Sequence, residues 1–98
     1  MRFEWDDTKN QANVRKHGVS FDLAKTIFQG PVPVLTSLDE RDDYGEDRCV
    51  SIGLAAGAVA LVVVRTDRNG RVRIISARPA RRRERRIYEE RVFGSAYR

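Results

Sequence analysis

The chain of 98 residues suffices for one domain with a modest core, and its hydrophobic content of 41% excludes an intrinsically disordered protein. Its longest apolar run, residues 54–64, is too short to cross a membrane, and one cysteine excludes an internal disulfide. Residues 71–98 hold ten arginines against three glutamates, a net charge of +7, whereas residues 1–70 are net −2. We therefore expect a soluble cytoplasmic protein whose partner is a polyanion or an acidic protein.

The N-terminal third predicts a short strand and two helices. The strand is RFEW (2–5), and Asp6 is expected to cap a helix over residues 7–17 that ends at Gly18. Ser20 is expected to cap a second helix over residues 21–29, which GPVP (30–33) terminates. The apolar face of this second helix consists of Phe21, Ala24, Ile27 and Phe28.

The remainder predicts four strands and a closing helix. The predicted strands cover residues 34–38, 48–55, 58–66 and 71–78. An acidic turn (39–47), AG (56–57) and DRNG (67–70) separate them, the last being a strong hairpin signal. Pro79 is predicted in the first turn of a helix that runs to about Phe93. The order β-α-α-β-β-β-β-α predicts one α+β domain with helices packed on a mostly antiparallel sheet.

The last strand leads directly into a region rich in positive charge. Alternation predicts two faces for it, with Val72, Ile74 and Ser76 on one and Arg73, Ile75 and Ala77 on the other. Ser76 and Arg78 end this strand next to a helix N-terminus, where N–H groups and a guanidinium can bind a phosphate. Alternatively, Ser76 only satisfies local backbone groups and Arg78 is an ordinary surface charge.

The closing helix carries many arginines, namely Arg81, Arg82, Arg83, Arg85, Arg86 and Arg91. They form either a solvated face with weak Glu84 pairs or a footprint for nucleic acid or an acidic partner. One glutamate cannot neutralise three consecutive arginines, which favours the footprint. The core side of this helix is predicted to consist of Ala80, Ile87, Tyr88 and Val92.

Few other residues could carry chemistry. His17 ends the first helix, where it either stabilises the helix dipole or acts in acid–base catalysis. Trp5 and Tyr88 either belong to the core or stack on bases, and Cys49 lies in an apolar strand and is predicted to be unreactive. One His and one Cys give no zinc spacing, and residues 39–47 do not match a calcium loop, so we expect no metal or cofactor.

Five segments together resemble the BrnT family of type II toxin–antitoxin toxins: FEWD (3–6), NVRKHGVSF (13–21), EDRCVSIG (46–53), RIISAR (73–78) and ERRIYE (84–89). The resemblance implies a RelE-like ribonuclease fold, inhibition of translation, and a DNA-binding antitoxin, BrnA, with which the toxin represses its own operon. The motif residues carried over are Lys16, His17, Glu46, Arg48, Arg73, Ser76, Arg78, Glu84 and Tyr88. The chain departs from the family at Cys49, where an aromatic residue is frequent, and at Pro79, where a basic residue is common.

These observations predict a metal-independent endoribonuclease in which the RNA's own 2′-hydroxyl attacks the phosphate. The predicted catalytic residues are His17, Glu46, Arg48, Ser76 and Arg78, with His17 or Glu46 as the base. The predicted RNA-binding residues are Lys16, Arg73, Arg81 and Arg82. Arg83, Arg85, Arg86 and Tyr88 are predicted to contact a BrnA-like antitoxin in a hetero-oligomer that binds operator DNA through the antitoxin. The alternative is a basic binding module without catalytic activity.

Overall fold

The structure, a computed structural model, describes residues 1–40 and 45–94 of the chain. Its elements are β1 (Arg2–Glu4), α1 (Asp7–His17), α2 (Phe21–Lys25), a 3-10 turn (Thr26–Phe28), β2 (Leu35–Leu38), β3 (Cys49–Ala55), β4 (Val59–Arg68), β5 (Arg71–Pro79) and α3 (Arg82–Phe93). The predicted α+β class and element order are confirmed. Part of the predicted acidic turn, residues 41–44, lies outside the described residues. In the described ranges, no helix combines the length and the apolar character needed to span a membrane.

The five strands form one sheet in the order β1-β5-β4-β3-β2. Strands β2 to β5 pair antiparallel with their neighbours, whereas β1 pairs parallel with β5. The prediction of a mostly antiparallel sheet is therefore confirmed. Because β1 pairs only with Arg71–Arg73, the C-terminal half of β5 extends beyond β1.

The predicted helix signals in the N-terminal third are confirmed by local hydrogen bonds. Asp6 Oδ1 accepts from the Lys9 amide at 3.0 Å, and Ser20 Oγ accepts from the Leu23 amide at 3.1 Å. Gly18 adopts a left-handed conformation with φ of 71°, and its N–H donates to the Val14 carbonyl. The predicted second helix is divided, since its α-helical part ends at Lys25 and a 3-10 turn follows.

A bulge in β5 changes which side chains face the core. Arg65 of β4 lies opposite Ile74, but Val64 lies opposite Ser76, so Ile75 is one residue without a counterpart. Beyond this extra residue the alternation is inverted, and Ala77 joins Ile74 in the core. The prediction that Ser76 shares a face with Ile74 is therefore wrong, because simple alternation cannot anticipate the bulge.

The main core lies between the sheet and the pair α1 and α2. Its buried members are Val19, Phe21, Ala24, Ile27, Ala55, Leu61, Val63, Ile74 and Ala77. Trp5 packs against this cluster with its ring edge-on to Phe21, 6.1 Å between centroids, so of its two predicted roles the structure supports the core.

Helix α3 covers part of the opposite face of the sheet. Tyr88 is buried there, and its hydroxyl donates to the Pro33 carbonyl at 2.8 Å. The predicted helix start at Pro79 is wrong, because Pro79 still pairs with Leu61 and the Ala80 amide donates to the Ala60 carbonyl. The extended ladder delays the helix, which begins after Arg81. Ala80 consequently lies outside α3.

Candidate active site

A hollow of about 460 Å³ opens on the α3 side of the sheet, next to the N-terminus of that helix. It collects residues from the end of α1, from three strands and from the start of α3. The residues that line it are Lys16, His17, Val50, Val62, Val64, Ser76, Ala77, Arg78 and Arg81. The structure thus brings together five residues that the sequence predicts to bind or cleave RNA, namely Lys16, His17, Ser76, Arg78 and Arg81.

The α1 rim of the hollow is fixed by Asn13, one turn before Lys16 and His17. Asn13 is buried, and its side-chain nitrogen donates to the Ala77 carbonyl at 2.7 Å and to the Val19 carbonyl at 2.8 Å. Its side-chain oxygen accepts from the Ala77 amide at 3.1 Å. The amide therefore occupies the edge of β5 that β1 does not cover, and it holds the end of α1 against the strand.

The bulge in β5 determines the second rim of the hollow, which Ser76 and Arg78 form. After Ile75 the strand directs Ser76 and Arg78 to the same side as Val62 and Val64 of the neighbouring strand β4. Three valines, Val50, Val62 and Val64, therefore form an apolar floor beneath a polar and cationic rim. An apolar floor lowers the local dielectric, so the rim charges act on a bound anion more strongly than they would in open water.

Arg78 is held at this rim by Glu84 of α3. The two terminal nitrogens of Arg78 donate to the two carboxylate oxygens of Glu84 at 2.7 and 2.8 Å, a bidentate ion pair. Glu84 Oε1 also accepts from the Arg81 amide at 2.8 Å, which caps the helix start. Chiefly because of the hydrogen bonds from Arg78, the pKa of Glu84 falls to about 2. The carboxylate stays charged at any physiological pH and keeps the guanidinium in one orientation.

Glu46 lies at a different hollow, of about 600 Å³, together with Asp47, Cys49, Thr66 and Arg68. Its carboxylate accepts from Arg68 at 2.7 Å and lies 3.7 Å from Arg48 Nε. The hydrogen bond from Arg68 is the main reason why the pKa of Glu46 is lowered. The structure therefore does not place Glu46 with His17 and Arg78.

Arg48 and Arg73 do not line the hollow. Arg48 directly precedes β3, two residues before the floor residue Val50, and its side chain contacts Glu46. Arg73 donates to Glu4 at 2.6 Å, at the end of β5 that pairs with β1. Arg78 lies five positions after Arg73 in the strand, about 16 Å of chain at 3.3 Å per residue.

The remaining predicted residues lie on α3. Arg82, Arg83, Arg85 and Arg86 are exposed, and Arg85 lies 4.0 Å from Glu89. Tyr88 has no exposed surface, so it offers a partner no contact in this conformation. Across residues 1–40 and 45–94, no three His, Cys, Asp or Glu side chains lie close enough to hold a metal ion.

Asn13 is not among the predicted site residues, although it lies in the segment NVRKHGVSF that carries the family resemblance. The sequence feature that could have identified Asn13 is its position in the interior of a predicted helix. Asparagine is unfavourable in a helix interior because its side chain competes for backbone groups, so an interior asparagine indicates a specific partner. The identity of that partner, the distant Ala77, could only be found from the fold.

Two comparisons with known proteins bear on this site. The family model of the ribonuclease toxin BrnT, of type II toxin–antitoxin systems, matches residues 5–84. The 1.1 Å crystal structure of the Brucella abortus ribonuclease toxin BrnT superimposes with a TM-score of 0.62 at 24% identity, covering 84% of this chain and 99% of that chain. The structural match supports the fold. Curated proteins gave no match.

The family match spans most of the chain and includes Lys16, His17, Ser76, Arg78, Arg81 and Glu84, the polar residues of the hollow and its anchoring carboxylate. It confirms the resemblance inferred from the motifs. The chain belongs to the BrnT family of ribonuclease toxins of type II toxin–antitoxin systems.

Proposed function

We propose that this protein is an endoribonuclease that cleaves RNA in the hollow between α1, β5 and α3, without a metal ion. The single observation that carries this proposal is the convergence of Lys16, His17, Ser76, Arg78 and Arg81 on one hollow with an apolar floor. RNA carries its own nucleophile, so the protein has to supply a base, cations for the phosphate and an acid for the leaving oxygen. This hollow contains a group for each of these tasks.

In the proposed reaction, Arg78 and Arg81 bind the scissile phosphate and Ser76 orients it by a hydrogen bond. The imidazole of His17 accepts the proton of the 2′-hydroxyl while the 2′-oxygen bonds to phosphorus. The bond from phosphorus to the 5′-oxygen breaks, and the leaving oxygen takes a proton from the Lys16 ammonium. The products are a 2′,3′-cyclic phosphate and a free 5′-hydroxyl.

Of the two candidate bases that the sequence leaves open, His17 is the base in this mechanism. His17 lines the hollow, whereas Glu46 is occupied by Arg68 at another hollow, where its lowered pKa makes it a weaker base. Arg48 has a supporting role, since it lies two residues from the floor and adds positive charge near the phosphate path. Arg73 pairs with Glu4 and does not line the hollow, so it has no part in the proposed reacting centre.

Family membership implies an antitoxin partner. We assign it a BrnA-like character: a DNA-binding protein that neutralises the toxin in the cytoplasm and joins it in a hetero-oligomer that represses the operon. The arginines of α3 support a negatively charged partner surface. Within the part of the chain that the structure describes, Arg82, Arg83 and Arg86 form no ion pair. Such uncompensated charge steers association with an oppositely charged surface.

The decisive experiment incubates purified protein with end-labelled RNA in EDTA. The wild type is expected to produce fragments with 2′,3′-cyclic ends, and Arg78→Ala is expected to be about 10²–10³ times slower. Arg73→Ala is the matched control, because it removes an arginine from the same strand that is also paired with a glutamate. It should remain within a few-fold of the wild type.

Retention of RNA without cleavage by the wild type would contradict the proposal and favour the basic binding module. Equal losses in Arg78→Ala and Arg73→Ala would show that the hollow is not the reacting centre.

A further inference from the structure

A further depression of about 260 Å³ lies between α3 and strands β2 and β3. Its floor is apolar, formed by Leu35, Val50 and Ile52, and Ile87 of α3 forms one wall. Ile87 is 45% exposed beside this open apolar floor. We call this depression the β2–α3 groove.

On the side of α3 that faces the groove, charged and apolar side chains alternate; we call this row of residues the stripe. Arg83, Ile87 and Arg91 follow one another at spacings of four residues, so they lie on the same side of α3. Arg91 lines the groove together with Ile87. Neither Arg83 nor Arg91 forms an ion pair within residues 1–40 and 45–94. The stripe therefore consists of an exposed apolar residue between two uncompensated cations.

On the opposite flank of α3, the arginine has a carboxylate partner. Arg85 lies 4.0 Å from Glu89, so the positive charge there has a partner on the same helix. These two residues line another depression, with Leu54 and Pro79. Both flanks thus have a depression, of about 260 and 280 Å³, but Arg83 and Arg91 beside the exposed Ile87 have no carboxylate partner in the described residues, whereas Arg85 has Glu89.

We propose that the β2–α3 groove binds a segment of the antitoxin in which an apolar side chain is flanked by carboxylates. The apolar side chain enters the groove against Ile87, and the carboxylates pair with Arg83 and Arg91. RNA fits this surface less well, because the described residues that line the groove include no aromatic ring on which a base could stack. The inference rests on the proposed function, since it names how the toxin of that proposal meets its partner.

The position of the groove also suggests how the antitoxin neutralises the toxin. Val50 lines both the groove and the candidate active site, so the two depressions share a wall. A segment anchored in the groove therefore lies beside the scissile phosphate position. It blocks the path of the RNA backbone there and adds negative charge that repels phosphates. Neutralisation follows from obstruction and requires no change in the fold of the toxin.

The test compares two charge reversals on opposite flanks of the same helix, Arg91→Glu and Arg85→Glu. Both change the net charge equally, and both residues are exposed, so neither variant should lose its fold. The antitoxin used as the probe is the protein encoded beside this one, and its dissociation constant is measured by titration against each full-length toxin. RNA cleavage is measured separately in the absence of antitoxin.

Arg91→Glu is expected to weaken antitoxin binding by roughly 10- to 100-fold, because a like charge then faces the carboxylates. Arg85→Glu is expected to change it by less than about threefold, as for a rim charge outside the contact. Both variants should cleave RNA at close to the wild-type rate. Ile87→Ser should likewise weaken antitoxin binding while leaving cleavage intact.

The inference is overturned if both reversals weaken binding equally, since only net charge would then matter. It is also overturned if Arg91→Glu reduces RNA cleavage and leaves antitoxin binding unchanged, which would make the groove an RNA surface. Failure of the proposed function is seen separately, because a wild-type protein that binds antitoxin but does not cleave RNA contradicts the nuclease and not the groove.

Discussion

The side chain of Asn13 forms hydrogen bonds with both backbone groups of Ala77, donating to its carbonyl at 2.7 Å and accepting from its amide at 3.1 Å. A side-chain amide presents a donor and an acceptor like those of a neighbouring strand, so Asn13 continues the ladder where β1 stops. The same contact determines how far the rim formed by Lys16 and His17 lies from the rim formed by Ser76 and Arg78.

Asn13→Ala is expected to lower both stability and activity. The substitution leaves the amide and carbonyl of Ala77 without their partner, which costs on the order of 2–4 kcal/mol of unfolding free energy. The end of α1 also loses its fixed distance from β5, and a displacement of about 1 Å lowers the cleavage rate by roughly 10²-fold. Urea denaturation and single-turnover RNA cleavage measure the two effects.

Asn10→Ala serves as the control on the same helix. Asn10 accepts a hydrogen bond from the Phe21 amide at 2.8 Å and does not line the hollow. Its removal should cost about 1 kcal/mol and leave the cleavage rate within a few-fold of the wild type. A cleavage loss in Asn13→Ala no larger than in Asn10→Ala would make Asn13 a purely structural residue.

The identity of the base is tested by His17→Ala and Glu46→Gln. His17 lines the hollow, so its removal should slow cleavage by about 10²–10⁴-fold. Glu46 is engaged by Arg68 at another hollow, so Glu46→Gln should change the rate by less than about tenfold. The reverse ranking in a pH–rate series would assign the base to Glu46.

The lowered pKa of Glu84 predicts that the free energy of unfolding depends on pH in the acid range. Its folded pKa of about 2 is below the ordinary value of 4.5, because Arg78 stabilises the carboxylate. The corresponding stability is therefore fully present above pH 4.5 and is lost as the pH falls from 4.5 towards 2. Glu84→Gln should be less stable than the wild type at pH 7 by on the order of 1–3 kcal/mol.

This difference between wild type and Glu84→Gln should narrow as the pH is lowered to about 2. Urea midpoints at pH 7 and at low pH measure it. A constant difference across this range would show that the carboxylate of Glu84 is not held in its charged form by Arg78.

Gly53 of β3 lies directly beneath the 3-10 turn. A Cβ at this position would meet Ile27 Cβ at 2.8 Å, closer than two carbon atoms can approach without displacement. Gly53→Ala should therefore destabilise the protein by about 1–3 kcal/mol, as overpacking does. Gly30→Ala is the control, since its nearest neighbour would be the Thr26 carbonyl at 4.0 Å, and its effect should be within about 0.5 kcal/mol. Equal effects in both variants would show that the contact with Ile27 is unimportant.

Local signals in the sequence predicted much of the fold, because each depends on neighbouring residues alone. The caps at Asp6 and Ser20 and the helix stop at Gly18 are examples. Asn69 and Gly70 form the predicted hairpin turn, with φ values of 53° and 74°, and Arg68 and Arg71 pair across it.

Contacts between residues that are far apart in the chain could not be predicted from the sequence. The parallel pairing of β1 with β5, the continuation of the ladder to Pro79 and the partnership of Asn13 with Ala77 each join segments far apart in the chain. At the candidate site, Lys16, His17, Ser76, Arg78 and Arg81 line one hollow, but the sequence did not indicate that Glu46 and Arg73 lie outside it. Both residues belong to the family motifs, but Glu46 pairs with Arg68 and Arg73 pairs with Glu4. A sequence motif does not indicate which cation pairs with which carboxylate.

The unmatched Ile75 has a consequence for how this strand tolerates changes in length. Deleting Ile75 would remove the bulge and keep the pairs Arg65–Ile74 and Val64–Ser76, so Ser76 and Arg78 would still face the hollow and Ala77 the core. Position 75 should therefore tolerate both substitution and loss, because the pairing of Ile74 and Ser76 sets the register on either side of it.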